Sequence, residues 1–321
     1  MNSGKQPSIR IGLIGGSGVE MHLAGRMDAD GLETRELETP FGRPSAPITT
    51  GTWRATGNQA GTASTGVPIA MMSRHGPGHV HHPGRVNSRA NLFALKQLGC
   101  THIIATGATG SLREAIHPGE LVLVDQFIDR TDGRPRTFFD DAAVHVEFAD
   151  PVCPVMRRWL LAASERIEAT RVHESGTYLC MEGPSFSTRA ESHLYRQWGA
   201  DVVGMTALPE ARLAREAEMA YMMIALPTDY DCWRERTPGQ SEASLLEEII
   251  GNLEKASHAA IALIRTALED VAALQETPSP AHDALKLAIW TAREQIAPEM
   301  VEQLRPLWGR HFSGRNMPAK A

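Results

Sequence analysis

The sequence predicts an α/β protein built on a mostly parallel, mixed central sheet with helices on both faces. Three observations lead there. Short apolar runs rich in β-branched residues alternate with longer stretches at helical spacing along most of the chain. The apolar runs are continuous rather than alternating, which marks strands covered on both sides. Glycine- and hydroxyl-rich segments follow these runs repeatedly, at the carboxyl ends of strands where open α/β sheets bind ligands.

Taken in order, residues 9–14 form the first expected strand, closed by the turn Gly15-Gly16-Ser17-Gly18. Residues 30–66, rich in Gly, Thr and Pro, read as short strands and turns. A buried strand at 67–72 runs into Ser73-Arg74-His75-Gly76, and Ala90, Phe93, Ala94 and Leu98 place a helix over 86–98. The strand at 101–106 ends in Gly107-Ala108-Thr109-Gly110-Ser111, and the next runs over 121–128. There follow a helix at 151–167, a strand at 177–181, a helix at 187–198 and a strand at 201–205. A helix at 209–219, a strand at 221–226 and a long helix at 241–274 complete the pattern. The Pro/Ser stretch 276–280 reads as a linker, so residues 1–274 form one domain and residues 275–321 a helical extension.

A chain of 321 residues with 42% hydrophobic content can bury a large core. Its net charge of −6 argues against nucleic acid or an anionic membrane as the main partner. The four cysteines, Cys100, Cys153, Cys180 and Cys232, form no CxxC or Cys/His cluster, so reduced structural thiols are expected, and no metal. The first ten residues lack the apolar core of a signal peptide. No run approaches the roughly 18 apolar residues that span a bilayer, so a cytoplasmic protein is expected.

The Gly15–Gly18 turn reads either as a tight exit from a strand or as a nest of backbone N–H groups for an anion. Arg74 and His75 are more pointed, because two such groups at the end of a buried strand are costly to desolvate without an anionic partner. The planar fork of arginine suits phosphate. His79, His81 and His82 crowd the same loop, but no cysteine or carboxylate completes a ligand set. Further strand ends carry an aromatic (Phe186), a methionine and hydroxyl (Met205, Thr206) and two carboxylates (Asp229, Asp231). Anion donors, a flat apolar surface and an acid thus gather on one edge of one sheet.

These stretches carry a family likeness. IGLIGGSG (11–18), TPFGRPS (39–45), SRHGPGH (73–79), VNSRANLFALKQLGCTHII (86–104), GSLRE (110–114), VDQFIDRT (124–131), EGPSFSTRAES (182–192), WGADVVGMT (198–206) and TDYDCW (228–233) run in register. Over about residues 9–274 the chain resembles the S-methyl-5′-thioadenosine phosphorylase branch of the trimeric purine nucleoside phosphorylase family. The resemblance implies a three-layer nucleoside phosphorylase-like fold and a homotrimer or dimer of trimers. It implies phosphorolysis of S-methyl-5′-thioadenosine to adenine and 5-methylthioribose 1-phosphate, a step of purine and methionine salvage. Inorganic phosphate would be the co-substrate, with no cofactor. Carried over position by position, Ser17, Arg74, His75, Ala108 and Thr206 would hold phosphate. Phe186 and Met205 would pack on the base and ribose, and the catalytic Asp229 and Asp231 would face the purine.

Base preference follows from hydrogen bonding. Adenine presents an exocyclic donor that suits a carboxylate, whereas a 6-oxopurine presents an acceptor that suits an amide. This chain has Asp229 where the 6-oxopurine branch carries Asn, and Ser187 where it carries a base-binding Glu. Gly107 departs from the usual phosphate-binding Thr, and Thr109 stands where Cys is common. After residue 233 the likeness weakens. The segment 234–244, with Arg236 and Glu242, is polar where apolar side chains often line the pocket for the sugar 5′ group. The alternative substrates are therefore 5′-deoxyadenosine, adenosine or a 6-oxopurine nucleoside.

In the extension, Leu285, Ile289, Ala292 and Ile296 place an amphipathic helix over 281–296. Pro298 opens a second carrying Val301, Leu304, Leu307 and Trp308, followed by a basic tail with Arg310, Arg315 and Lys320. Helices this short need a docking surface, so order is expected. The extension would cover the long preceding helix or a neighbouring subunit, or else close over the 5′ pocket.

Overall fold

The computed structural model describes residues 9–16, 29–55, 66–168, 170–235, 239 and 241–312. Among these residues the apolar runs do become strands: β1 (Ile11–Gly15), β2 (Ala29–Arg35), β3 (Ile48–Trp53), β4 (Val67–Ser73), β5 (His102–Ser111) and β6 (Leu121–Leu123). They continue with β7 (Gln126–Arg130), β8 (Val172–His173), β9 (Thr177–Met181), β10 (Val202–Gly204) and β11 (Ala220–Asp229). The helices are α1 (Ser88–Gln97), α2 (Pro154–Ser164), α3 (Arg189–Gln197), α4 (Ala207–Glu216), α5 (Glu242–Leu268), α6 (Ala272–Glu276), α7 (Pro298–Gln303) and α8 (Arg305–Trp308). Their starts are set locally. Asn87 accepts from the Ala90 N–H, Thr188 and Glu191 form a reciprocal capping box, and Ser241 accepts from the Ser244 N–H.

One mixed sheet runs β2-β3-β4-β1-β5-β10-β9-β7, with β11, β6 and β8 branching from β5. Pairings β1–β4, β1–β5, β5–β11, β9–β10, β7–β9 and β6–β8 are parallel. Alternate side chains of the central strands feed two cores, as the pleat requires. Ile14, Ile103, Ala105, Tyr221 and Met223 pack with α1 and α4, whereas Leu13, Ile104, Met222 and Ile224 pack with α2 and α5. The result is three layers, as the sequence predicts.

The branch at β5 builds the site. One edge of β5 pairs with β11 along nearly its whole length, from His102 to Gly110. The other edge pairs with β1 over His102–Ala105 and with β10 at Gly110–Ser111. On that edge residues 106–109 therefore have no strand partner among the described residues. The gap lies where β1 has ended and β10 has not begun, which is a topological switch point.

Several elements differ from the sequence reading. Residues 107–111 were expected as a loop but continue β5, because β11 and β10 flank them. The expected strand 121–128 is two strands: β6 pairs with β11 and β8, then the chain crosses at Val124-Asp125 so that β7 pairs with β9. The long helix stops at Leu268, and α6 is separate. Residues 281–296 do not form a helix. They make 3₁₀ turns at Pro280–Asp283 and Arg293–Gln295 and a bridge between Val144 and Ile289, leaving Ala292 exposed. The second short helix does begin at Pro298.

Within this chain the extension covers a surface other than the long preceding helix. Leu285, Ile296, Val301, Leu304, Leu307 and Trp308 are buried in the core that contains α1 and α4, not against the long helix α5. Trp308 stacks on Phe139 at 4.6 Å between ring centres. Glu218, at the end of α4, accepts from the Leu285 N–H and pairs with Arg310, stapling the segment down. This contact lies at the amino-terminal end of β11, away from Asp229 at its carboxyl end. A lid over this chain's own site does not follow from that packing.

Candidate active site

The gap beside residues 106–109 is bordered by the carboxyl ends of β1 and β10, with β4 next to β1 and β11 on the other edge of β5. Arg74 enters from the end of β4 and is fully buried. Its Nη1 donates to the Thr106 carbonyl at 2.7 Å. A Cβ on Gly16 would stand 2.8 Å from Nη1 and 2.6 Å from the Thr106 carbonyl, so this end of β1 must be glycine. A Cβ on Gly107 would stand 3.5 Å from the Thr206 Oγ1 and 3.9 Å from Arg74 Nη1. Gly16, Arg74, Gly107 and Thr206 therefore meet at one place. Ala108 follows on β5, opposite Leu226 of β11 and partly exposed. Ser17 lies outside the described residues.

The arginine fork expected for phosphate is mostly committed elsewhere. Nε and Nη2 donate to the two oxygens of Glu210, at 2.7 and 2.9 Å, and Tyr221 donates its hydroxyl to Glu210 Oε1 at 2.8 Å. Glu210 is 1% exposed. Desolvation opposes the Arg74 charge, but the Glu210 carboxylate and its hydrogen bonds outweigh it, and the pKa is raised. What is left for a ligand is the Nη1 side.

His75 is nearly buried and its ring stacks on His79 at 4.1 Å. Its Nδ1 lies 2.8 Å from the His81 carbonyl, which can only accept, so Nδ1 carries the proton. Burial, then the adjacent Arg74 charge, pushes its pKa down to about 4. At neutral pH the ring is uncharged, and what it offers a ligand is Nε2 as an acceptor.

Across the gap, β10 ends at Gly204, where a Cβ would lie 2.0 Å from the Tyr178 hydroxyl. That closeness lets Tyr178 accept the Thr206 N–H at 3.3 Å. The preceding carbonyl, of Met205, accepts from Arg134 Nη1 at 2.7 Å. Arg134 also donates to the carbonyls of Leu208 and Glu182 and to the Glu182 carboxylate. Gly183 has φ +67°, and a Cβ there would meet the Met205 sulfur at 2.5 Å, so glycine is needed twice over. Phe186, three residues on, is 86% exposed. Its neighbour Ser187 is tied to the other side of the site, because the Cys232 thiol donates to the Ser187 carbonyl.

Asp229 ends β11, beside Gly110. Oδ2 accepts the Thr228 hydroxyl and Oδ1 the Asp231 N–H, both at 2.7 Å. Burial nevertheless raises the pKa of Asp229, and burial likewise raises that of Asp231. A cleft of about 460 Å³ opens on both acids and is lined further by Arg189, Arg234, Glu248 and Leu245. Arg234 stacks over Tyr230 at 4.3 Å. The wall contributed by residues after 233 is thus partly charged.

The sequence reading missed Glu210, Tyr221 and Arg134. The one available signal was Glu210 itself, an acid in the first turn of a helix between Pro209 and Ala211. Among the described residues no group of three or more His, Cys, Asp or Glu side chains is placed to hold a metal, and no helix is long and apolar enough to cross a membrane.

Comparison with known proteins places this architecture. The chain is 44% identical over 303 residues to the S-methyl-5′-thioadenosine phosphorylase of Geobacter sulfurreducens, covering 94% of this chain and 98% of that protein. It is 43% identical over 307 residues to that of Thermosynechococcus vestitus, covering 94% and 99%. Both matches span more than residues 9–274, so part of the extension has counterparts in these relatives. A crystal structure of a methylthioadenosine phosphorylase from an antarctic soil metagenomic library superposes with a TM-score of 0.79 at 39% identity, covering 94% of this chain and 99% of that one. The Schistosoma mansoni methylthioadenosine phosphorylase in complex with adenine gives 0.75 at 32%, covering 88% and 99%. Residues 10–269 match the phosphorylase superfamily model, and the chain belongs to that superfamily.

Proposed function

We propose that this protein is an S-methyl-5′-thioadenosine phosphorylase, converting that nucleoside and inorganic phosphate to adenine and 5-methylthioribose 1-phosphate. The observation that carries the reading is one strand end shared by both parts: Asp229, its pKa raised by burial, stands beside Gly110 of β5, three residues from Gly107, where Arg74 and Thr206 meet. The relatives' activity and the Schistosoma enzyme's complexes with adenine and methylthioadenosine support the substrate.

In this reading phosphate sits against Gly16, Arg74 Nη1, the β5 backbone at Ala108 and Thr206. Met205 and Phe186 bracket ribose and base, and Asp229 with Asp231 meets the purine edge. The C1′–N9 bond breaks with its electrons going to the purine, and a phosphate oxygen bonds C1′. Holding the nucleophile beneath C1′ and protonating the leaving base lower the barrier. A carboxyl with raised pKa retains its proton closer to neutrality, so Asp229 can deliver one to N7. Hydrogenphosphate carries one proton, the purine product gains one, and the sugar phosphate leaves as a dianion, so the sum balances. The neutral His75 Nε2 suits the P–OH that an oxyanion donor would repel.

A homotrimer or dimer of trimers in the cytoplasm, needing no cofactor, completes the proposal; neither nucleic acid nor membrane is a partner. A substrate panel tests it: methylthioadenosine, 5′-deoxyadenosine, adenosine, inosine and methylthioinosine, each with phosphate. The highest kcat/KM should fall on methylthioadenosine. A preference for adenosine would favour the alternative suggested by the charged wall around Arg234, and a preference for inosine would overturn the base assignment.

A further inference from the structure

Two arginine–glutamate pairs, the fully buried Arg74–Glu210 and the partly exposed Arg134–Glu182, stand on opposite sides of the gap, and in the proposed reading neither Glu210 nor Arg134 touches a substrate. We propose that these two are positioning residues with separate duties: Glu210 sets the phosphate half of the site, and Arg134 sets the nucleoside half. The inference rests on the phosphorylase reading.

Glu210 comes from the first turn of α4, where a negative charge also complements the helix dipole. Its two oxygens take the Nε and Nη2 edge of Arg74, and Tyr221 fixes the roll of the carboxylate from β11. Of the five N–H groups of the guanidinium, Glu210 takes two and the Thr106 carbonyl a third. This leaves Nη1 held between Gly16 and Gly107. Without Glu210 the guanidinium would be a buried charge with no fixed orientation. Among the described residues, no hydrogen bond of Arg74, Glu210 or Tyr221 reaches Met205.

Arg134 lies between β7 and α2 with a side chain 6% exposed. It joins two turns that are distant in sequence. Nη1 holds the Met205 and Leu208 carbonyls at 2.7 and 2.9 Å, Nη2 the Glu182 carbonyl at 2.6 Å, and Nε the Glu182 carboxylate at 2.8 Å. The Asp132 N–H donates to that same carboxylate oxygen at 2.9 Å. Met205 and the Glu182–Phe186 turn are the parts assigned to ribose and base. The N–H of that same peptide, of Thr206, is held from its other side by Tyr178, so loosening Arg134 leaves one anchor of the phosphate half in place.

The experiment compares Glu210→Gln and Arg134→Lys with the wild type. It reads KM for each substrate, and calorimetric binding of inorganic phosphate alone and of adenine alone. Glu210→Gln should raise the phosphate KM about tenfold or more while the nucleoside KM stays within about threefold. Arg134→Lys, which cannot span both turns, should do the reverse. If either variant fails to fold, Tyr221→Phe and Glu182→Gln take their places and should give smaller shifts of the same selectivity. Equal weakening of both ligands, or of neither, overturns the inference. Wild-type base release that needs no phosphate would instead overturn the phosphorylase reading on which it rests.

Discussion

Asp229→Asn isolates the proton-bearing group from its geometry. In the wild type, Oδ1 accepts the Asp231 N–H and Oδ2 accepts the Thr228 hydroxyl. An asparagine can keep its oxygen toward the Asp231 N–H and place its amide where Oδ2 was. The Thr228 hydroxyl lies 3.3 Å from the Thr109 carbonyl, to which it can donate, so it can accept from the new amide. The local network survives, and no buried donor is orphaned. The fold should therefore change little, with a melting temperature within a few degrees of wild type. The loss falls on chemistry: the acid for N7 is gone, and adenine's exocyclic donor meets an amide donor. A mismatch of this kind costs about 1–3 kcal/mol, or about 5- to 150-fold in kcat/KM on aminopurine nucleosides. Activity on methylthioinosine should rise relative to methylthioadenosine. The assay follows both substrates spectrophotometrically on one enzyme preparation. An unchanged ratio of the two kcat/KM values, with the variant folded, would refute the reasoning.

Other consequences can be checked by stability measurements and kinetics. Gly204→Ala should displace the Tyr178 ring and cost about 1–3 kcal/mol in urea unfolding, with a raised phosphate KM because the Thr206 N–H loses its acceptor; wild-type stability and kinetics would contradict this. Trp308→Ala removes a fully buried indole stacked on Phe139 and should cost about 3–5 kcal/mol while both KM values hold. A selective rise in nucleoside KM would instead point to a lid. Burial raises the pKa of Glu216 to about 7, above its ordinary 4.5, so the folded state binds more protons than the unfolded between those values. Its ionisation therefore lowers stability as pH rises through that window, by at most about 1.4 kcal/mol per pH unit. Glu216→Gln should gain stability relative to wild type between pH 5 and pH 8, and a pH-independent difference would contradict the assignment.

Much of the fold was legible because the central strands are covered on both faces and so read as unbroken apolar runs. Residues 177–181 coincide with β9 for that reason. The misreadings share a cause: local composition was overridden by neighbours far along the chain. Gly107 to Ser111 look like a loop, yet β10 and β11 make them strand. Leu285 and Ile296 are buried as their spacing suggests, but turns and the Val144–Ile289 bridge bring them there instead of a helix. At the site, Arg74 and Asp229 stand out in sequence as charges at the ends of apolar strands. Glu210 reaches Arg74 across a separation of 136 residues, and Arg134 reaches Met205 across 71. No local pattern records such pairings.

The central claim is that phosphate, not water, takes the sugar. Base release from S-methyl-5′-thioadenosine should be measured in phosphate-free buffer and again with added phosphate, and the sugar product identified by ³¹P NMR. The expected result is no release without phosphate, and with it one equivalent of sugar 1-phosphate per adenine. Equal release in both buffers, yielding the free sugar, would contradict the account.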